Sequence, residues 1–262
     1  MTNNSPFRGL GGIPNIFTLL NLVFGSLAII FILQTGESIV TTNDGLVYQQ
    51  LPEKITWGCI CIGIAAVIDF LDGFVARLFN ATSEMGKQLD SLADVVSFGV
   101  APGMILFQLL RISFAGQENG LDVSMVWLLP ALIFPGAGAY RLARFNIDDS
   151  QQYGFKGVPI PAAGLVVASL PFIAFYNSFD LVTLVFNKWF LYGVILLLSY
   201  LMVSTLPLMA LKFKDLSVKN NLPKFILPGI AIVAGIILKW AAVPVVFIAY
   251  VALSLAFKNK KA

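Results

Sequence analysis

The chain has 262 residues, of which 58% are hydrophobic and 12% are charged, and its formal net charge is only +3. A mean hydropathy of +0.84 excludes a soluble globular domain and predicts an integral membrane protein. The chain contains no histidine, which excludes Ser-His and Cys-His catalysis and metal sites with histidine ligands. Any catalysis must therefore use carboxylates, lysines or tyrosines.

Apolar segments long enough to cross a hydrocarbon layer of about 30 Å recur from end to end. Continuous apolar segments are typical of membrane helices rather than barrel strands. We therefore predict an all-α polytopic helix bundle of about eight transmembrane helices, forming a single membrane domain over residues 1–262. The predicted spans are 14–34, 55–79, 87–113, 123–145, 159–177, 189–211, 225–239 and 240–257.

The two chain ends need separate comment. The first residues, "MTNNSPFRGLGGIPN", have one arginine and no small-residue cleavage site, so we expect no removable signal peptide. At the other end, only "LKWAAVP" around Lys239 and Pro244 separates the last two spans. These C-terminal spans, residues 225–258, have no sequence feature that indicates a role.

The distribution of basic residues predicts the orientation in the membrane, because cytoplasmic loops carry an excess of Lys and Arg. With the N-terminus inside, 13 of the 17 basic residues fall at cytoplasmic ends: Arg8, Arg77, Lys87, Arg141, Arg144, Lys156, Lys212, Lys214, Lys219, Lys224, Lys258, Lys260 and Lys261. We therefore expect a multi-pass protein of the cell membrane in which the connection between spans two and three faces the cytoplasm.

Four aspartates lie on either side of that connection, in "DFLDGFVARLFNATSEMGKQLDSLADVVSFG" (residues 69–99). On a helix Asp69 and Asp72 are one turn apart, and Asp90 and Asp94 share one face of the next helix. Two helices joined by a short loop pack antiparallel, which brings both pairs within about two turns of a shared cytoplasmic end. The sequence predicts that the four carboxylates converge there.

A cluster of four acids requires compensating charge. Each ionised acid at membrane depth costs about 2.5–3.5 kcal/mol on insertion scales, and mutual repulsion adds to this cost. Arg77 and Lys87 do not balance four negative charges, whereas two divalent cations would, and oxygen-only ligands favour Mg²⁺ or Mn²⁺. Such a pair of ions suits phosphoryl transfer.

Small residues follow the acids on the same helix faces. Gly73 and Ala76 lie beside the first pair and Gly86 beside the second, which would let a bulky phosphorylated ligand approach the backbone. Tight packing between membrane helices is the alternative explanation. A different function, a cation transporter that uses the acids as an ion path, predicts acids spread through the membrane depth, whereas these gather at one end.

These residues together resemble a known signature. The chain reads Asp69-x-x-Asp72-Gly73-x-x-Ala76-Arg77, then eight residues, then Gly86-x-x-x-Asp90-x-x-x-Asp94. This is similar to the signature of the CDP-alcohol phosphatidyltransferase family at all eight of its positions. The resemblance implies a core of six spans, of which residues 13–164 carry the motifs, and two divalent ions held by Asp69, Asp72, Asp90 and Asp94.

The resemblance also implies roles for single residues. Asp94 would be the base as well as a ligand, Gly73, Ala76 and Gly86 would border the CDP group, and Arg77 would pair with an acid or a phosphate. The stretch "IPNIFTLLNLVFG", with Pro14, Asn15, Thr18 and Asn21, looks like the family's start of the first span, near the cytidine. Asn15 and Thr18 are accordingly predicted to contact CDP.

Three stretches, "LDSLADVVSFGVAP", "YRLARFN" and "FKGVPIPAAG", are similar to the branch of this family that uses serine as the acceptor. The implied reaction is CDP-diacylglycerol plus L-serine giving phosphatidylserine plus CMP. The alternative within the family is the same chemistry with glycerol phosphate or an inositol phosphate, which would require a denser basic pocket.

The residues predicted to bind the acceptor or the lipid phosphate are Arg141, Arg144, Ser91, Ser97 and Lys156. Arg141 and Arg144 lie one turn apart on one face, and a pair of arginines suits a carboxylate or a phosphate. A positive-inside anchor is the alternative for either arginine, and a bond to its own helix backbone is the alternative for either serine. The expected partners are CDP-diacylglycerol, L-serine, the lipid bilayer and a second copy of the chain, with no nucleic acid.

Overall fold

The computed structural model describes residues 13–34, 39–41, 47–49, 51–78, 83–117, 123–148, 155–209 and 218–257. Helices dominate this part of the chain, which confirms the predicted all-α membrane bundle. They are α1 (Ile13–Leu33), α2 (Glu53–Leu78), α3 (Glu84–Asp94), α4 (Ala101–Ala115), α5 (Ile133–Ile147), α6 (Ile160–Phe175), α7 (Val182–Val185), α8 (Lys188–Val203), α9 (Val218–Leu238) and α10 (Ala242–Ala256).

Four short strands were not predicted. They are β1 (Ile39–Thr41), β2 (Val47–Gln49), β3 (Phe155–Lys156) and β4 (Pro207–Leu208). β1 pairs antiparallel with β2, and β3 pairs antiparallel with β4, with Lys156 opposite Pro207. Both pairs lie in connections between helices, so they leave the fold class unchanged.

Five stretches within the described ranges are long and apolar enough to cross a membrane: Asn15–Leu33, Glu53–Val75, Glu84–Ala115, Met125–Ile147 and Lys224–Ala256. Two shorter apolar helices, Ile160–Phe175 and Lys188–Val203, add to them. The predicted span 189–211 is too long at its C-terminal end, because the helix stops at Val203, Ser204 is extended and Pro207 follows in β4.

The last apolar stretch contains both predicted C-terminal spans. A 3₁₀ turn at Lys239–Ala241 separates α9 from α10, and Lys239 has a φ of +52°, a left-handed conformation that interrupts a right-handed helix. α9 and α10 pack against each other. Counted separately, they bring the apolar helical stretches of the described residues to the predicted eight. We call α9, the turn and α10 the C-terminal hairpin.

α1 packs closely against α2 and against the helix that begins with α3. A Cβ at Gly58 of α2 would lie 2.6 Å from Cγ1 of Ile32. A Cβ at Gly25 of α1 would lie 2.1 Å from Oγ and 2.8 Å from Cα of Ser97. Glycine at these two positions therefore permits the close approach of the helices, in the manner typical of membrane bundles.

α3 and α4 form one continuous helix of residues 84–115, the acid-bearing helix, interrupted by a π-helical segment at Val95–Val100. There the backbone bonds span five residues, as from the N–H of Ala101 to the carbonyl of Val96. Pro102 follows, and a proline inside a helix lacks an N–H for the carbonyl four residues earlier and collides with it. The π segment therefore ends two residues before a proline.

α6 covers this segment from one side. A Cβ at Gly164 of α6 would lie 2.9 Å from the carbonyl oxygen of Phe98. Phe98 is fully buried, together with Phe134 of α5 and Ile160 of α6. The buried core of the bundle thus begins at Phe98, about one helical turn after Asp94.

Candidate active site

Three of the four predicted carboxylates come together. One oxygen each of Asp69, Asp90 and Asp94 lies within 4.8 Å of the other two. Asp69 lies in the last three turns of α2 and Asp90 and Asp94 lie in the first three turns of the acid-bearing helix. The period of the two helices and their shared end therefore produce the cluster, as the spacing predicted.

Asp72, the fourth carboxylate, lies beside this group and interacts electrostatically with Asp69 and Asp90. It is buried, and it accepts a hydrogen bond from the hydroxyl of Thr18 on α1. Thr18, predicted to contact CDP, thus holds one of the acids.

Asn21, one turn further along α1, contacts another acid. Its side-chain Nδ2 donates to Oδ1 of Asp94 at 3.3 Å, and its main-chain carbonyl accepts a bond of 3.0 Å from the hydroxyl of Ser97. Asn21 and Ser97 are fully buried and Asp94 is nearly so. Ser97 joins the acid-bearing helix to α1 through this bond, and its predicted role in binding the acceptor stays a prediction.

The start of the acid-bearing helix lies next to the start of α1. Ser83 caps the helix by accepting a bond of 2.9 Å from the N–H of Gly86. A Cβ at Gly86 would lie 3.3 Å from Oδ1 of Asn15. Two residues predicted to contact CDP, Asn15 and Gly86, are therefore neighbours.

The remaining predicted CDP residues lie on α2. Gly73 is exposed and directly follows the buried Asp72, so it leaves open space beside an acid. Ala76 and Arg77 lie near the C-terminal end of α2, and their side chains are outside the described residues.

The two arginines of "YRLARFN" have different surroundings. Arg141 is buried, interacts electrostatically with Asp94 and stacks over the ring of Phe145, with 5.4 Å from Cζ to the ring centre. Arg144 donates to three main-chain carbonyls, those of Val203, Lys156 and Ser204, at 2.6, 3.2 and 2.9 Å. Of the two, Arg141 is the one that interacts electrostatically with an acid of the cluster.

The carbonyls that Arg144 binds belong to a small junction between β3, β4 and the end of α8. Gly157 there has a φ of +78°, and a Cβ would lie 2.5 Å from the carbonyl oxygen of Met202. The side chain of Lys156 forms an ion pair of 2.8 Å with Asp148. The motif "FKGVP" therefore builds this junction, and the proposed binding roles of Arg144 and Lys156 remain predictions.

Ser91 joins the acid-bearing helix to the end of α5. Its hydroxyl accepts a bond of 2.8 Å from Nδ2 of Asn146 and donates to the main-chain carbonyl of Lys87 at 3.2 Å. Nζ of Lys87 in turn donates to the main-chain carbonyl of Asn146 at 3.2 Å. That Ser91 binds the acceptor substrate or the lipid phosphate stays a prediction. Its hydrogen bonds in the structure connect the acid-bearing helix to α5.

Asn21, which contacts Asp94, was not among the residues predicted from the sequence to bind a ligand. A signal was present, because Thr18 and Asn21 are two of the few polar residues of α1 and lie three positions apart. Residues three apart share a helix face. That face contacts Asp72 of α2 and Asp94 of the acid-bearing helix.

Clustered carboxylates of this kind can hold a hard divalent cation, because all their donor atoms are oxygens. A buried cluster of anions without a cation is electrostatically unfavourable. The arrangement fits chemistry on a phosphate or pyrophosphate, which such a cation would bind.

The comparisons with known proteins agree with this chemistry. The sequence profile described as CDP-alcohol phosphatidyltransferase matches residues 12–257. Enzymes of that family generally depend on a divalent metal.

Several relatives are similar over much of the chain. A CDP-diacylglycerol--serine O-phosphatidyltransferase of Helicobacter pylori is 35% identical over 85% of this chain and 80% of its own length. An enzyme of the same name from Bacillus subtilis is 35% identical over 61% of this chain and 75% of its own. An archaetidylserine synthase of Methanothermobacter thermautotrophicus is 28% identical over 68% of this chain and 65% of its own.

Proposed function

This chain belongs to the CDP-alcohol phosphatidyltransferase family, and we propose that it transfers the phosphatidyl group of CDP-diacylglycerol to L-serine, giving phosphatidylserine and CMP. The observation that carries the proposal is the cluster of Asp69, Asp90 and Asp94 at the shared end of two membrane helices. The names of its relatives support serine as the acceptor.

The oxygen-only donor set fits two divalent ions, Mg²⁺ or Mn²⁺, held by Asp69, Asp72, Asp90 and Asp94. When bound, such ions neutralise charge on a pyrophosphate and on the leaving phosphate. The chain itself supplies the fixed geometry of the carboxylates.

Asp94 is proposed as the base. The serine hydroxyl is a weak nucleophile at neutral pH, and in a chain without histidine a carboxylate is the natural proton acceptor. As the serine oxygen forms its bond to the lipid-linked phosphorus, the hydroxyl proton passes to Asp94, and the bond from that phosphorus to the oxygen of CMP breaks. Asp94 lies one turn deeper in its helix than Asp90.

The CDP group is proposed to lie along the open side of α2 beside Gly73, with Ala76 and Arg77 further along that helix. Asn15 and Gly86, which are neighbours at the start of α1 and of the acid-bearing helix, would border its other side. The exposed position of Gly73 supports this placement.

Arg141 is the favoured partner for the serine carboxylate or the lipid phosphate. Its burial and its interaction with Asp94 support that role, because guanidinium groups bind planar carboxylates and phosphates through paired bonds. We keep Arg144, Lys156, Ser91 and Ser97 as predicted contacts of the acceptor or the lipid phosphate, beside the contacts between elements described above.

We propose that the site faces the cytoplasm of the cell membrane, which the distribution of basic residues supports. The homodimer expected from the sequence stays a prediction, and sedimentation of the detergent-solubilised protein would test it.

The decisive experiment measures CMP release by the purified protein with CDP-diacylglycerol and a panel of alcohols. We expect release with L-serine to exceed that with glycerol phosphate or inositol phosphate. Release with a phosphorylated alcohol instead would move the chain to another branch of the family. No release with any alcohol, together with cation flux in vesicles, would support the transporter.

A further inference from the structure

We propose that Asn21 is a positioning residue, which fixes the Asp94 carboxylate for the transfer reaction. This inference rests on the proposed function, since it concerns the acid proposed as the base. Its basis is the contact between the two side chains across helices, from Nδ2 of Asn21 to Oδ1 of Asp94 at 3.3 Å.

Asn21 is itself held in place. The hydroxyl of Ser97 donates to the main-chain carbonyl of Asn21 at 3.0 Å. Gly25 lets α1 approach Ser97 so closely that a Cβ at position 25 would collide with it. Ser97 is only three residues beyond Asp94. Asn21 therefore contacts the acid-bearing helix twice, through its side chain at Asp94 and through its main-chain carbonyl at Ser97. The amide therefore meets Asp94 with little freedom to move.

The bond to Asp94 is the hydrogen bond that the Asn21 side chain makes among the described residues. Oδ1 of Asn21 is buried and has no hydrogen-bond partner among the residues that the structure describes. Leaving a buried polar atom unpaired costs about 1–3 kcal/mol. Gln108 has the same cost, and the two amides differ in the partner of the nitrogen, which is an acid of the cluster for Asn21 and a main-chain carbonyl for Gln108.

Fixing one carboxylate oxygen has a chemical consequence. With Oδ1 of Asp94 engaged by Asn21, the orientation of Oδ2 is set, and this oxygen is free to face the acceptor or a cation. Partners behind a ligand or base act in this way, by orienting it. Thr18 contacts Asp72 one turn earlier on the same face of α1, so α1 orients one acid on each of the two acidic helices.

The experiment is a double-mutant cycle between Asn21→Leu and Asp94→Asn in the purified full-length protein. A replacement that acts only through Asp94 loses its effect once Asp94 is changed. We expect Asn21→Leu to lower kcat about 10- to 100-fold in the parent and to have almost no further effect in Asp94→Asn. The KM for CDP-diacylglycerol should change little.

A second cycle uses Mn²⁺ affinity, measured by electron paramagnetic resonance without substrate. Asn21→Leu should weaken Mn²⁺ binding about 10-fold in the parent and leave the affinity of Asp94→Ala, which has no side-chain oxygen at this position, unchanged. This readout separates the two proposals, because a parent protein that binds Mn²⁺ but releases no CMP with serine refutes the proposed function and still tests Asn21.

Gln108 provides a matched control. It is also a buried amide, with Nε2 donating to the main-chain carbonyl of Ile32 at 3.3 Å and Oε1 unpaired among the described residues. Gln108→Leu should change neither kcat nor Mn²⁺ affinity. If Asn21→Leu does not fold, Asn21→Ala repeats both cycles. Equal losses in the parent and in Asp94→Asn, or no loss in either, would overturn the proposal.

Discussion

The acid-bearing helix and the C-terminal hairpin are both long and apolar, but they have different surroundings. In an 18-residue apolar window of residues 84–115, 67% of the residues are buried inside the protein, compared with 17% in such a window of residues 224–256. The first helix is enclosed by α1, α5 and α6, whereas most of the described side chains of the hairpin are exposed or only partly buried. Hydropathy alone does not distinguish a helix that carries chemistry from one that faces the bilayer.

The polar contacts of the two regions differ in the same way. In the acid-bearing helix, the side chains of Asp94 and Ser97 form hydrogen bonds with Asn21 of α1. The hairpin is joined to the bundle by the stacking of Trp240 on Phe172, with ring centres 4.1 Å apart, and by Tyr250, which donates to the carbonyl of Met209 at 3.0 Å. We infer that changes near the acids alter activity and that changes in the hairpin alter stability.

The largest effect is expected from removing divalent cations. Carboxylates without a cation repel a pyrophosphate, so excess EDTA should abolish CMP release, and added Mg²⁺ or Mn²⁺ should restore it. The measurement is CMP release before and after chelation. Full activity in EDTA would refute the metal site. It would also refute the inference that the acid-bearing helix, unlike the C-terminal hairpin, carries metal-dependent chemistry.

Gly73→Leu should abolish binding of CDP-diacylglycerol while the protein remains folded. Gly73 is exposed, so a larger side chain meets no packed core there but fills the space beside Asp72. The measurement is thermal stabilisation of the detergent-solubilised protein by CDP-diacylglycerol.

Gly63 on the same helix is the control for this substitution, because a Cβ there meets nothing within 4 Å. Gly63→Leu should keep the full stabilisation by the nucleotide. If Gly73→Leu is stabilised as much as Gly63→Leu, the nucleotide lies elsewhere.

Asp94→Asn should reduce turnover about 10²- to 10⁴-fold, because it keeps the shape and one oxygen but removes the basicity. Binding of CDP-diacylglycerol should survive, whereas Asp69→Asn should weaken it by removing a charged ligand. Turnover and nucleotide-dependent stabilisation are measured for both variants. Equal loss of binding in both would make Asp94 chiefly a metal ligand.

The predictable part of the site is the part that depends on local spacing. Asp69, Asp90 and Asp94 lie on two helices joined at one end, and the helical period fixes which faces they share. The π segment after Asp94 was not predicted, although Pro102 in "SFGVAP" marks a conflict in a continuous helix.

The contacts that could not be predicted join residues far apart in the chain. Asn21 and Asp94 are separated by 73 positions, and Arg144 bonds to carbonyls 59 and 60 positions away. Spacing along one helix cannot indicate which distant backbone its arginine reaches. "YRLARFN" therefore indicated two equivalent arginines, whereas in the structure Arg141 interacts electrostatically with Asp94 and Arg144 binds main-chain carbonyls.

The smallest effect is expected from Trp240→Ala in the hairpin turn. The variant loses the stacking on Phe172, which is worth about 0.5–1.5 kcal/mol beyond area burial. For a chain of this size that corresponds to a midpoint lower by about 2–4 °C per kcal/mol, with kcat and KM unchanged. Ile236→Ala, at a side chain that is 77% exposed, is the control and should change neither. A loss of turnover in a Trp240→Ala protein of normal stability would instead connect the hairpin to the site, and the interaction of Tyr250 with Arg141 offers the route.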